Sequence, residues 1–299
     1  MMIARIVKLM MLTLMLAACA APTEIMPTSS PSPGPTVTTL PTESLSNAPA
    51  PFTTQTPIIV IEDPWTVDTP TPNPPAINLP LEKVSIERPG PGSQVTSPIR
   101  VRGHAGPSFQ NRVELRLIGE DGREITNAFT YLLATPGNIG PFSTELLFET
   151  PLVAEAARLE VRNYHREDGK LDHMGSVDLI LLTVGNPVSH FGIYGAEKLH
   201  LITPREGQIV EGGVIMVTGA GWVDADVPLH VEVLDHADNI VGSAEVYIEP
   251  RQVGRLGTFE VQVLYQVEIT QYGRIAVYEP STTIPGMIHY TSARVLLKP

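Results

Sequence analysis

Carboxylates and imidazoles gather at two places in this 299-residue chain. Asp224-Ala225-Asp226 precedes a predicted strand, and Asp235-His236-Ala237-Asp238-Asn239 follows it. If the two flanking loops lay side by side, their oxygens would suit Ca²⁺, which takes about six to eight oxygen ligands. The spacing of a calcium loop is absent, and Asp and Asn are also ordinary turn residues. The second group is His165-Arg166-Glu167-Asp168 with Asp172-His173. It has residue types that bind Zn²⁺ but no tight His-x-x-x-His or cysteine spacing, and it reads as a solvated turn. Neither group is assigned as a metal site. No Gly-x-Ser-x-Gly elbow occurs in the globular part, and no glycine-rich loop opens a helix. The sequence therefore predicts a protein that is not an enzyme and needs no cofactor. What remains for recognition is a set of aromatic residues near strand ends, Phe109, Tyr164 and Trp222. Such rings stack on sugars or pack on peptides. They also plug the mouths of β-sandwiches, and Phe109 and Trp222 are expected to be mainly structural.

One nucleophile stands in an interpretable setting. Cys19 is the only cysteine of the chain. It follows a basic start (Arg5, Lys8), an apolar run from Leu9 to Ala18 and the small residues Ala17-Ala18, the layout of a secretory signal peptide. Ten residues of helix rise ~15 Å, half of a hydrocarbon core of about 30 Å, so the run is too short to span a membrane comfortably. A plain signal peptide with an incidental cysteine would share this layout. The segment Leu16-Ala17-Ala18-Cys19 resembles the lipobox of a bacterial lipoprotein signal. That resemblance implies removal of residues 1–18, acylation of Cys19 and membrane lipid as a partner. It implies an extracytoplasmic, lipid-anchored location, at the outer membrane if the host has one, since Ala20 rather than aspartate follows the cysteine. With about 0.8 kcal/mol per buried CH₂, two or three acyl chains anchor stably. The rest of the chain has no thiol, so its domains must be held without disulfides.

Residues 19–81 read as a disordered tether. Positions 20–81 hold fifteen of the 29 prolines and twelve threonines, with five acidic residues and no lysine or arginine. Proline removes amide donors and excludes helix and central strand, and the scattered apolar residues cannot form a core. As a flexible coil the tether would span roughly 45 Å, and as polyproline II at most about 190 Å. Ile58-Ile59-Val60-Ile61 and Trp65 interrupt it as a docking motif or a bare sticky patch.

From Glu82 the texture changes to short alternating segments between Gly, Pro, Asn and Asp. Val84–Ile86, Ile99–Arg102, Val113–Leu117, Phe142–Phe148, Leu159–Arg162 and Val177–Val184 read as strands with one buried face. Pro89-Gly90-Pro91-Gly92, Glu120-Asp121-Gly122 and Glu167-Asp168-Gly169 read as turns. Ala154–Arg158 fits a turn of helix or a strand connection. About seven short strands in ~100 residues is an immunoglobulin-like pattern. The landmarks recur about 116 residues later: Val113, Leu115 and Leu117 match Leu229, Val231 and Val233, Leu159 and Val161 match Ile275 and Val277, and Gly103 matches Gly219. The expected fold is all-β, two tandem immunoglobulin-like antiparallel β-sandwiches at 82–186 and 199–299, joined by a linker at 187–198. The chain carries a formal charge of −12, divided as −5 on the tether, −3 on 82–186 and −6 on 187–299 after the basic leader. Such a surface repels nucleic acid and anionic lipid.

Gly103-His104-Ala105, Phe109-Gln110, Val113–Leu117, Asp121-Gly122 and Gly140-Pro141-Phe142-Ser143 together resemble the Gmad2 domain, an immunoglobulin-like module associated with spore-germination proteins. The resemblance covers residues 83–184. The second repeat departs from it, with Trp222 near the Phe109 position and Gly257-Thr258-Phe259 in place of Gly-Pro-Phe-Ser. The resemblance implies a non-catalytic role, binding or scaffolding an envelope protein or cell-wall glycan. Accessory domains of an envelope-remodelling or hydrolytic system, or a purely structural spacer in a germination-type complex, are the alternatives.

Overall fold

The computed structural model describes residues 77–299, so Cys19 and most of the expected tether lie outside the described residues. Sixteen strands and one short 3₁₀ turn make up the described chain, which contains no α-helix. In chain order these are β1 (Val84–Arg88), β2 (Gln94–Thr96), β3 (Ile99–Ala105), the 3₁₀ turn Phe109–Asn111, β4 (Arg112–Gly119), β5 (Glu124–Tyr131), β6 (Gly140–Leu146), β7 (Ala154–Tyr164) and β8 (Leu171–Leu182). There follow β9 (Leu199–Thr203), β10 (Ile209–Val210), β11 (Val214–Gly221), β12 (Leu229–Leu234), β13 (Ile240–Val246), β14 (Gly257–Leu264), β15 (Gln271–Pro280) and β16 (Met287–Leu297).

Alternation decides which face each strand buries. Val113, Leu115 and Leu117 of β4 are wholly buried while their neighbours are not, and Leu229, Val231 and Val233 of β12 repeat the pattern. A side-chain period of two puts these rows on the sheet face that meets the opposing sheet. Each fully buried aliphatic side chain contributes roughly 1.5–3 kcal/mol. The rows build two separate cores, one around Leu115, Phe142 and Leu159, the other around Val231, Phe259 and Ile275. In the first sandwich β1-β3-β6 faces β5-β4-β7-β8, with β2 parallel to β8. In the second, β9-β11-β14 faces β13-β12-β15-β16, with β10 parallel to β16. Strand order and pairing are the same in both, an immunoglobulin-like arrangement.

Two glycines explain how Phe142 and Phe259 enter these cores. A Cβ on Gly103 would lie 2.0 Å from the Ser85 carbonyl oxygen and 2.7 Å from the Phe142 ring. On Gly219 it would lie 2.2 Å from the Phe259 ring and 2.5 Å from the His200 carbonyl oxygen. In each sandwich the ring rests against bare backbone of the neighbouring strand.

The larger sheets do not end at the domain boundary. β16 pairs antiparallel with β8, placing His289 opposite Gly175, Tyr290 opposite Met174 and Thr291 opposite His173, so that ten strands form one sheet. His173, Met174 and Gly175 lie about one repeat upstream of His289, Tyr290 and Thr291. The pairing therefore has a local two-fold axis passing between Met174 and Tyr290, the geometry of an isologous contact within one chain. Side chains obey the same axis. Ser176 Oγ donates to the Ile288 carbonyl at 2.9 Å, and Ser292 Oγ donates to the Asp172 carbonyl at 3.2 Å. Met174, Ala276 and Tyr290 form a small third cluster at the seam.

Residues 187–198 run beside β1. The Gly192 amide donates to the Glu87 carbonyl, Glu82 to Gly195 and Glu197 to Pro80. A Cβ on Gly192 would meet the Ile86 carbonyl oxygen at 1.9 Å, so this strap lies directly on the strand.

Candidate functional site

The seam between the sandwiches concentrates the buried polar chemistry of the described residues. Arg158 on β7 and Arg274 on β15 are 0 % and 2 % exposed, although arginine almost never buries without partners. They stand about one repeat apart and reach across the two-fold axis in opposite directions. Arg158 donates through Nη1 to the Ile284 carbonyl at 3.0 Å and through Nη2 to Ser281 Oγ, both on the β15–β16 loop, and through Nε to Asp178 at 3.1 Å. Arg274 grips both carboxylate oxygens of Asp168, on the β7–β8 turn, at 3.0 and 2.9 Å, and donates to Ser292 Oγ at 2.8 Å. Both contacts to Asp168 come from Nη2 while Nη1 serves Ser292, so the fixed fan of guanidinium donors ties partners on both sandwiches at once.

Around each histidine of the seam sits a polar cluster, and the two differ. On the first-sandwich side, His173 shares a hydrogen bond with Thr291 Oγ1 at 3.0 Å, and its Nδ1 lies 3.0 Å from Asp172 without hydrogen-bond alignment. Lys83 Nζ stands 3.6 Å from Asp172, and the Lys83 amide donates to Glu197 at 2.9 Å. Burial drives the carboxyl of Glu197 above its ordinary range, and pushes Glu82 up to about 7 with Glu197 adding to it. Asp172 is held well below the usual carboxylate range, against the effect of its burial, by His173, Lys83 and Arg274.

On the other side, Asp224, Glu279 and His289 each bring one ligand-type atom within 4.8 Å of the others. Asp224 stands between β11 and β12, Glu279 near the end of β15, and His289 at the seam on β16. Glu279 is fully buried. Its Oε1 accepts the amides of Asp224 at 2.7 Å and Ala225 at 3.2 Å, while its Oε2 has no hydrogen-bond partner among the described residues. His289 Nε2 lies 3.4 Å from Asp224 Oδ2, and Lys198 Nζ lies 2.9 Å from each of those two atoms. Burial pushes the Glu279 carboxyl up to about 7 and lowers the His289 imidazole. The contact with His289, followed by Lys198, holds Asp224 well below the usual carboxylate range. Two cavities meet here. One of about 230 Å³ lies along β1, β8 and residues 191–193, and one of about 260 Å³ opens beside Asp224 and Ser281; Lys198 and His289 line both.

The residues singled out in the sequence fall as follows. Phe109 is half-buried on the 3₁₀ turn, with ring atoms 3.6 Å from the Cβ position of Gly169 in the β7–β8 turn, and belongs to neither core cluster. Tyr164 ends β7, donates its hydroxyl to Glu114, and is raised to about 12 by burial. Trp222 is half-buried just after β11, also outside the cores, and its amide donates to the Lys198 carbonyl at 3.1 Å. Phe109 and Tyr164 thus flank one turn of the first sandwich, while Trp222 adjoins the Asp224 cluster of the second. Cys19 lies outside the described residues.

Of the two acidic groups, the first keeps its turn residues as turn residues and the second is not what the sequence suggests. The loops carrying Asp224-Ala225-Asp226 and Asp235–Asn239 are not neighbours, because β12 separates them by roughly 20 Å of extended chain. Asp226 instead pairs with Arg251 at 3.1 Å, and Asp235 closes its own turn by accepting the amides of Ala237 and Asn239. The His165–His173 group is not a solvated turn throughout: Asp172 and His173 are buried by the second sandwich. Sequence reasoning missed Glu279, His289, Lys198 and both arginines: the β15–β16 pairing sets Glu279 opposite His289, and the β8–β16 pairing brings the arginines to their partners across the seam. The one available signal was the repeat itself, which placed Arg158 with Arg274 and His173 with His289.

Fold and seam define an immunoglobulin-like, all-β protein of paired sandwiches. Residues 83–170, within the first sandwich, match the model of the Gmad2 family, described as the immunoglobulin-like domain of bacterial spore germination. No curated protein matches the chain. Among solved structures, a chimeric titin Z1Z2–Z1Z2 tandem carrying a fibronectin-derived GRGDS peptide aligns at 12 % identity over 73 % of this chain and 98 % of its own, with a TM-score of 0.20.

Proposed function

We propose that this chain is an extracytoplasmic lipoprotein whose two sandwiches form one rigid, non-catalytic head that binds or scaffolds an envelope protein or cell-wall glycan. The observation that carries the reading is the β8–β16 pairing, which fuses the sandwiches through a shared sheet and two buried arginine clamps. A hinged pair of modules suits a spacer; a fused pair presents a fixed surface, which suits recognition. The Gmad2 match supports a germination-associated surface setting, and the lipobox-like Leu16-Ala17-Ala18-Cys19 supports anchoring outside the membrane. The acidic balance of the chain favours neutral or basic partners over nucleic acid.

The test is made with the soluble Cys19→Ser chain. Sedimentation with purified peptidoglycan and pull-down from solubilised envelope protein should show saturable retention by one of them, with no product released from a panel of wall and ester substrates. Turnover of any wall substrate would refute the non-catalytic reading. Labelling with a fatty-acid analogue should mark the wild-type chain and leave Cys19→Ser unmarked; equal label on both would sink the anchor.

A further inference from the structure

We propose that Asp224, Glu279 and His289 bind a divalent transition-metal cation of the Zn²⁺ class, and that the Lys198 ammonium competes with the metal for this place. Three observations lead there. The first is the donor set, one imidazole nitrogen and two carboxylates gathered within 4.8 Å. The 3.4 Å between His289 Nε2 and Asp224 Oδ2 matches the separation, about 3.3 Å, of two ligands held near 2.0–2.1 Å from a tetrahedral centre. Imidazole with carboxylate suits Zn²⁺ and its neighbours, whereas Ca²⁺ would need more oxygens than two carboxylates supply.

The second observation is independent of the grouping. Glu279 is 0 % exposed, and its Oε2 has no hydrogen-bond partner among the described residues. A buried carboxylate oxygen without a partner is costly, and a coordinated cation would satisfy it. At the positions one repeat upstream stand Ser108, Asn163 and His173. There Ser108 donates to the Arg112 carbonyl and Asn163 to the Pro107 carbonyl, leaving the neutral Asn163 Oδ1 unpartnered among the described residues, and the buried acid beside His173 is Asp172 on its own strand. Only the second sandwich surrounds its seam histidine with Asp224 and Glu279.

The third is that a cation already stands between two of the three ligands, His289 and Asp224. Lys198 Nζ lies 2.9 Å from both His289 Nε2 and Asp224 Oδ2. Its flexible stem, partly exposed, can swing into the cavity of about 260 Å³ that opens beside Asp224. That cavity is also the path by which a hydrated metal would reach the ligands.

The experiment uses the soluble Cys19→Ser chain. Titration with Zn²⁺, followed by calorimetry and by the visible absorption of Co²⁺ in its place, should show one site per chain and a raised melting temperature. Lys198→Met should tighten the binding about tenfold or more, an effect that misfolding does not mimic. His289→Gln and Asp224→Asn should remove the site and the tetrahedral Co²⁺ spectrum, while His165→Gln should leave both intact. The proposal is overturned if Zn²⁺ binds no tighter than about millimolar. It is equally overturned if binding survives His289→Gln, or if Lys198→Met leaves the affinity unchanged or weaker.

Discussion

Replacing Arg274 by methionine tests whether the two sandwiches are one cooperative unit. The substitution keeps much of the apolar stem and removes the fork that holds Asp168 at 3.0 and 2.9 Å and Ser292 at 2.8 Å. Breaking a buried ion pair costs about 3–5 kcal/mol, chiefly through the charge left behind. Asp168 keeps the Lys170 amide at 3.1 Å and is 22 % exposed, so water can return to it and the loss falls near the lower end, about 3 kcal/mol. For a folded unit of this size each kcal/mol moves Tm by about 2–4 °C, giving a drop of about 6–12 °C. Because every lost bond but the one to Ser292 crosses the seam, calorimetry should also show one transition dividing into two. Asp168→Asn combined with Arg274→Met should cost little more than Arg274→Met alone, the signature of a shared interaction. Arg100→Ala, at an exposed pair with Glu145, supplies the contrast at under about 1 kcal/mol. A single transition within about 2 °C of wild type for Arg274→Met would refute the reasoning.

Glu82, pushed up to about 7 from an ordinary 4.5 by burial and Glu197, binds a proton in the folded state that the unfolded state has released over that interval. The stability from that proton is present at low pH and lost as pH rises through 7, so Glu82→Gln should raise Tm at pH 8 and lose its advantage towards pH 5; a pH-independent difference would count against this. Gly103→Ala and Gly219→Ala should each lose about 1–3 kcal/mol by denaturant melting, at the upper end because backbone oxygens stand 2.0 and 2.5 Å from the new methyl, while Gly195→Ala, which meets nothing within 4 Å, should be neutral. Phe109→Ala and Trp222→Ala, half-buried and outside the cores, should cost about 1–2 kcal/mol against about 3–5 for core Phe142→Ala. Equal losses for Phe109 and Phe142 would make Phe109 a core plug.

The strands that form the cores were readable because their burial is local and alternating. Val113, Leu115 and Leu117 announce β4 by themselves, and their echo at Leu229, Val231 and Val233 announces β12. β5 escaped because Glu124–Tyr131 is an edge strand with no fully buried residue, only Ile125 and Ala128 leaning on the core. Ala154–Arg158, ambiguous between helix and strand, proved to be the start of β7, where pairing with β8 overrides the helix preference of alanine. The polar seam was illegible for a different reason. Arginine, histidine and aspartate read as surface residues, and what buries Arg158, Asp172 and His173 is a strand more than a hundred residues away. Among the aromatic residues chosen from the sequence, Trp222 falls beside the Asp224 cluster through its neighbour Lys198, a connection visible only in three dimensions.

The local two-fold axis between Met174 and Tyr290 has a consequence for stoichiometry. Two separate copies meeting edge to edge would part on dilution, but sandwiches joined through residues 187–198 hold their edge strands at an effective concentration on the order of millimolar or higher. The seam of this chain is therefore insensitive to how sparsely the molecule is displayed. Nor does covalent joining oblige the halves to stay identical, as a symmetric pair must. Asn163 and Ser108 on one side answer to Glu279 and Asp224 on the other, so whatever recognises the acidic side meets it once per molecule and from one direction only.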